Sequence, residues 1–161
     1  MPKNPIGQYE PQTRAIFRIV VGGLFMLHGT MKLFGWPGDQ PAPVLNPTSM
    51  IGIAAFLEIV GGGAIVIGML TRVVAFLLAG EMATAYFMMH SPQSPFPMLN
   101  GGEPAVLFCF AFLYLAVAGA GAWSVDASIA KARLRRHIKI DRRVNCERRT
   151  PGSFEPAHIR R

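Results

Sequence analysis

His28, Lys32, Glu58 and Glu81 are the residues of this 161-residue chain whose types and positions can do chemistry. Each lies inside a long apolar stretch. Placing an ionised side chain near a bilayer centre costs about 2.5 to 3.5 kcal/mol on insertion scales, so a group that persists there is paired or has a task. An imidazole exchanges protons near neutral pH, a carboxyl group serves as acid or base, and an ammonium holds an anion or a carbonyl oxygen. His28 and Lys32 are four residues apart and therefore share one helical face. At about 1.5 Å per residue, His28 lies about 9 Å from the outward end of its stretch, and Glu58 and Glu81 about 12 Å from theirs. Acids and bases from three segments thus share one depth. Two readings follow: a proton-handling or ligand-binding pocket, or an interhelical network that neutralises the glutamates and fixes helix register. Glu81 can alternatively face a second subunit.

The elements that must position these groups are four apolar stretches, 15–34, 50–70, 73–89 and 104–120. About 20 apolar residues in a helix match the hydrocarbon thickness of a bilayer, where every backbone polar group must be satisfied internally. With 51% apolar and only 16% charged residues, the composition departs from that of a soluble domain. The tight Thr71-Arg72 turn makes the second and third stretches antiparallel neighbours, so the expected fold is all-α, an integral membrane antiparallel four-helix bundle. The expected organisation is an N-terminal segment 1–13, a transmembrane domain 14–126 and a basic tail 127–161, partly disordered beyond Val144. This leaves no room for a separate catalytic domain. The first stretch is too long for a signal-peptide core and lacks a cleavage site after it, so the segment is expected to be retained.

Lys3, Arg14, Arg72 and the Arg-rich tail fall on one side of the membrane, whereas the connections 35–49 and 90–103 carry no Lys or Arg. Short basic loops stay cytoplasmic, so both termini are expected there and the two Pro- and Gly-rich loops outside. Arg18, one turn inside the first stretch, is expected to snorkel to the headgroups. The second outer loop lies above the polar cluster and is a candidate lid. In it Asn100-Gly101-Gly102 offers turn geometry, and Glu103 is placed to cap the fourth helix or to join Asn100 in substrate contact. Gly61-Gly62-Gly63 and the small residues Ala54, Ala64, Gly68, Ala75, Ala79 and Ala83 permit close helix approach.

The net charge of +7 is a property of the tail: residues 131–161 hold eleven Lys or Arg against three acids, a net +8, and residues 1–130 hold five against six, a net −1. Such a tail suits topological retention or the surface of the inner leaflet rather than nucleic acid. Cys109 and Cys146 form no metal or dithiol spacing, and no metal ion is expected. Gly119-Ala120-Gly121-Ala122-Trp123-Ser124 has the glycine spacing of a dinucleotide loop but lacks a preceding strand, and more plausibly ends the fourth helix.

Taken together, several motifs resemble the DoxX family of membrane proteins over about residues 14–126. They are Arg18-x-x-x-Gly22-x-x-Phe25-x-x-His28-Gly29-x-x-Lys32, Glu58-x-x-Gly61-Gly62 with Gly68-x-x-Thr71-Arg72, Asn100-Gly-Gly-Glu103, and Gly119-Ala-Gly121-Ala-Trp-Ser124-x-Asp126. The resemblance implies a small four-helix protein of the bacterial inner membrane associated with redox physiology. Some relatives are subunits of a thiosulfate to quinone oxidoreductase, and others accompany quinone resistance or complexes with superoxide dismutase and a thiol-handling enzyme. The reading that follows is a membrane subunit of a redox system. In it His28, Glu58 and Glu81 handle the proton and Lys32 holds a quinone-like or small sulfur substrate, with a quinone as the implied cofactor. The alternatives are a scaffold that recruits soluble redox enzymes and a small proton- or ion-coupled transporter. Partners beyond the bilayer are a second copy of the chain or such enzymes.

Overall fold

The computed structural model describes residues 6–38 and 48–149, all of whose regular structure is helical. Most of the proline-rich connection 35–49 therefore lies outside the described residues, as does the end of the tail after residue 149. After a short 3-10 turn, Gly7–Tyr9, come α1 (Glu10–Phe34), α2 (Met50–Ile67), α3 (Thr71–Ala85, prolonged by a π-helical turn Tyr86–His90), α4 (Glu103–Ala118) and α5 (Val125–Arg149).

Local chemistry sets these limits. Pro11 occupies the first turn of α1, where its missing donor leaves nothing unsatisfied, and Gly35 ends that helix with φ 72°, its amide reaching Met31 O at 3.0 Å. The Ser49 hydroxyl accepts from Gly52 N at 3.1 Å and opens α2, while Gly68 closes it with φ 70°. α1 thus begins five residues before the apolar stretch that announces it, and α2 stops at Ile67 rather than at residue 70. The tail, expected to lose structure beyond Val144, continues as helix as far as Arg149.

Three helical segments are long and apolar enough to cross a membrane: Gly7–Phe34, Met50–Ile67 and Thr71–His90. α4 is apolar but has 16 residues. At about 1.5 Å per residue it spans about 24 Å, short of the roughly 30 Å hydrocarbon core. α1 packs on α2 and α3 on α4, and the two pairs meet through α2 with α3 and α1 with α4. Their shared core contains Phe25, Ile65, Leu78, Met82, Phe112 and Leu115. Large apolar side chains cover the outer faces, among them Ile16, Val20, Leu24, Phe56, Val60, Phe76, Leu77, Leu107 and Phe110. In water such a continuous apolar surface is strongly unfavourable, whereas acyl chains solvate it.

The α1–α2 contact is set by glycines facing each other's backbone. A Cβ at Gly22 would stand 2.9 Å from Gly62 O, one at Gly62 would stand 2.9 Å from Gly22 O, and one at Gly29 would stand 2.6 Å from Ala55 O. Without a hydrophobic drive between helices in lipid, this close approach supplies the van der Waals attraction. The buried stripe of α2 runs Gly52, Ala55, Glu58, Gly62, Ile65, so Ala55 rather than Ala54 is the small residue at the contact. On α3, Ala75 and Ala79 are buried as the small-residue spacing suggests.

The chain divides into two units, residues 1–128 and 129–161. The second is helical as far as Arg149 and exposed along residues 129–139.

Candidate functional site

Glu58 sits mid-way along α2 on its buried stripe, with only 1% of its surface exposed. Lys32 lies in the last turn of α1, one turn beyond Gly29. Because Gly29 brings the helix backbones together, a Cβ there would lie 3.0 Å from Glu58 Cβ. At that separation Lys32 reaches across, and its Nζ donates to Glu58 Oε1 at 2.5 Å. The lysine side chain keeps 38% exposure and the glutamate 2%, so the pair has one end in the protein interior and the other at its surface.

Glu81, on α3, lies close enough for its charge to interact with both Glu58 and Lys32. Both of its carboxylate oxygens are enclosed without a hydrogen-bond partner, as is Glu58 Oε2. Three segments therefore bring two carboxyl groups and one ammonium together, with three buried oxygens unsatisfied. Buried oxygens of this kind ordinarily have partners, so the arrangement has the capacity to accept hydrogen bonds, a proton or a cation.

His28 is not drawn into this group. It is exposed, and its ring stands edge-on to Phe108 of α4, with centroids 5.4 Å apart and planes at 87°. The buried stripe of α1 passes through Ala15, Arg18, Gly22, Phe25 and Gly29, and His28 lies beside it on the flank toward α4. It is a neighbour of the ion pair through Lys32, one turn on, and makes no hydrogen bond to either glutamate.

Asn100 lies in the loop before α4, and Glu103 is the first residue of that helix. Asn100 is buried, and its side chain is fully engaged in folding the loop: Oδ1 accepts from Gly102 N at 2.8 Å and Nδ2 donates to Ser94 O at 2.7 Å. Its carbonyl also pairs with His90 Nδ1 at 3.0 Å. A Cβ at Gly102 would stand 2.8 Å from Asn100 Oδ1 and from the Tyr86 ring, which explains the glycine. Glu103 is exposed in the first turn of α4, but Gly102 is the capping residue, and no side chain supplies a cap hydrogen bond there. Its carboxylate acts on the helix only through the N-terminal dipole.

The opposite end of the helices holds a network that the spacing of charges alone did not reveal. Arg18 does not snorkel. It is completely buried, with Nε donating to Ala120 O at 2.9 Å, Nη1 to Ile65 O at 2.5 Å and to Val66 O, and Nη2 to Trp123 O at 3.0 Å. Ile65 and Val66 are in the last turn of α2, where the Ile65 carbonyl also accepts from Gly68 N at 3.0 Å, so one guanidinium supplements the cap of α2 and ties it to the α4–α5 connection. Arg72 Nη1 donates to Ala116 O and Val117 O at 3.2 and 2.5 Å, and Arg14 donates to Ala118 O and to Glu10. Asp126 caps α3 through Leu70 N and Thr71 N, each at 2.9 Å, holding Leu70 in its left-handed conformation of φ 49°. The glycine-spaced segment after α4 supplies the geometry: Gly119 and Gly121 have φ 84° and 71°, and a Cβ at Gly121 would stand 2.7 Å from Pro11 O. The sequence signal for Arg18 was its place on the same stripe as Gly22, Phe25 and Gly29.

Apolar outer faces, bilayer-length helices and an ion pair whose glutamate is buried between two of those helices define a helical membrane protein. The family model described as DoxX matches residues 13–91. The chain is also 41% identical over 135 residues to an uncharacterized protein of Haemophilus influenzae, covering 80% of this chain and 98% of the relative. This chain belongs to the DoxX family. No solved structure matches it.

Proposed function

We propose that this protein is a membrane subunit of a redox system, with its substrate site at Lys32, Glu58 and Glu81 and with His28 at the rim. The observation that carries the reading is the Lys32–Glu58 pair, its glutamate buried and its lysine partly exposed, beside a second carboxylate whose oxygens have no partner. Several ionisable groups at one membrane depth exceed what register needs. A quinone-like substrate takes up two electrons from a partner redox protein and two protons. The Lys32 ammonium donates a hydrogen bond to the carbonyl oxygen or holds a small sulfur anion, and Glu58, Glu81 or His28 exchanges a proton. Asn100 shapes the loop above rather than touching substrate, and Glu103 stands at the exposed edge of that loop.

In this reading the helices form a four-helix antiparallel bundle in the bacterial inner membrane, α4 crosses with the others, and both termini are cytoplasmic. The start of α1, the end of α2, the start of α3 and the end of α4 meet through Arg14, Arg18 and Arg72, which supports the alternation. The one-sided Lys and Arg distribution supports the orientation. The test is redox titration and binding of quinone analogues with the purified protein. Glu58→Gln and Glu81→Gln are expected to weaken both binding and turnover at least tenfold. If these variants and His28→Ala behave as wild type, the site assignment is wrong.

A scaffold reading is favoured by one observation. Residues 129–139 of α5 are exposed throughout and belong to a unit apart from the helical domain, as a docking helix for soluble redox enzymes would be. Partners that copurify with the full chain and disappear when residues 131–161 are removed would support it.

A further inference from the structure

At the arginine end of the helical domain, an open pocket of about 550 Å³ lies between the start of α1, the start of α3 and the segment that follows α4. We propose that it binds the phosphodiester headgroup of an anionic phospholipid, with Arg72 as the principal contact and Arg14 supporting it.

The pocket contains three charged groups, Arg14, Arg72 and Asp126. Both carboxylate oxygens of Asp126 already accept the amides of Leu70 and Thr71, so its charge is matched by the N-terminus of α3. Arg14 has Glu10 as its partner, and its Nε is buried without an acceptor. Arg72 is different. Among the described residues it has no carboxylate partner, and its Nη1 alone is engaged, by the carbonyls of Ala116 and Val117. The Nε and Nη2 edge remains, and it lies over Gly119, where a Cβ would stand 3.3 Å from each nitrogen. Such an edge presents parallel N–H groups at the spacing of two phosphate oxygens.

The walls decide the source of the phosphate. Leu70 and Val73 border the pocket and are 64% and 60% exposed, part of the apolar surface that lipid must cover. Free phosphate would meet the guanidinium edge but leave these walls bare. A phospholipid satisfies the cation with its headgroup and the walls with its acyl chain, at the level where helices that cross a bilayer end.

The test uses the full-length protein in a neutral detergent, titrated with phosphatidylglycerol, with phosphatidylcholine of the same chains, or with inorganic phosphate. Melting temperature and lipid retained in native mass spectra are read. Phosphatidylglycerol is expected to raise the melting temperature and to be retained at least tenfold better than phosphatidylcholine, and inorganic phosphate to do neither. Arg72→Gln removes the contact but also two helix-capping bonds. Val73→Glu therefore serves as the second variant, because it sets a carboxylate on an exposed wall without touching the core. Both are expected to lose the preference, and Val73→Glu to melt as wild type in detergent alone. Replacing Arg133, Arg135 and Arg136 by Gln in the tail is expected to leave it intact. Retention by Val73→Glu equal to wild type, loss in the tail variant, or an equal effect of inorganic phosphate would each overturn the proposal.

Discussion

Replacing Arg18 tests how the helical domain is held together. Its guanidinium has five N–H donors and gives hydrogen bonds to four carbonyls, two in the last turn of α2 and two in the α4–α5 connection. Arg18→Met keeps the length of the side chain and removes every donor. A hydrogen bond to a charged group contributes about 1.5 to 3 kcal/mol, so four set an upper bound of about 6 to 12 kcal/mol. The apolar side chain no longer carries the several kcal/mol cost of withdrawing a cation from water, which leaves a net loss of about 3 to 5 kcal/mol. Arg18→Lys supplies a compact ammonium with three donors, too few and too localised for four carbonyls on separate segments, and should lose about 2 to 3 kcal/mol. Thermal unfolding in detergent, followed by loss of helical circular dichroism, is the assay. Arg18→Met should lower the midpoint by about 6 to 20 °C. An arginine that only anchored the helix at the headgroups would accept lysine freely. If both variants stay within about 0.5 kcal/mol of wild type, as surface substitutions do, the buried-cap account fails.

Gly29→Ala forces a Cβ to within 2.6 Å of Ala55 O and 2.7 Å of Ile59, so it should destabilise the protein by about 1 to 3 kcal/mol. Gly23→Ala, six residues away and with nothing within 4 Å, should be neutral or stabilise by up to about 1 kcal/mol, and the order of the two melting temperatures checks both. For the ion pair, Lys32→Met leaves the Glu58 carboxylate buried alone and should cost about 3 kcal/mol, the lower end of the range because Lys32 is 38% exposed. Adding Glu58→Leu should restore much of that loss. A double variant no more stable than Lys32→Met would show that the two side chains are not coupled.

Much of the fold was legible in the sequence. The apolar stretches follow from local chemistry that needs no distant partner, but their limits shift: α2 closes at Gly68, inside the stretch read as far as residue 70, and Thr71 and Arg72, read as a turn, open α3. Residue counts along helices of known rise assign a common depth to His28, Glu58 and Glu81, whereas the structure pairs Glu58 with Lys32. Legibility ended where a side chain's fate depends on its azimuth around the helix. His28 and Lys32 share a face, yet Lys32 meets Glu58 whereas His28 lies exposed against Phe108, because the glycine-lined contact points α1 toward α2 along the stripe of Gly22, Phe25 and Gly29.

The sequence by itself determined which segments are helical and apolar, their limits to within a few residues, and that acids and bases stand inside them. Only the tertiary structure decided which of those groups touch, that Arg18 lies inside rather than at the headgroups, and that Asp126 caps a helix 55 residues away in sequence. The physical reason is range. Helix formation, capping and membrane-length hydrophobicity act over a few residues or sum along one segment, whereas hydrogen bonds and ion pairs between segments depend on rotations and separations that close packing alone fixes.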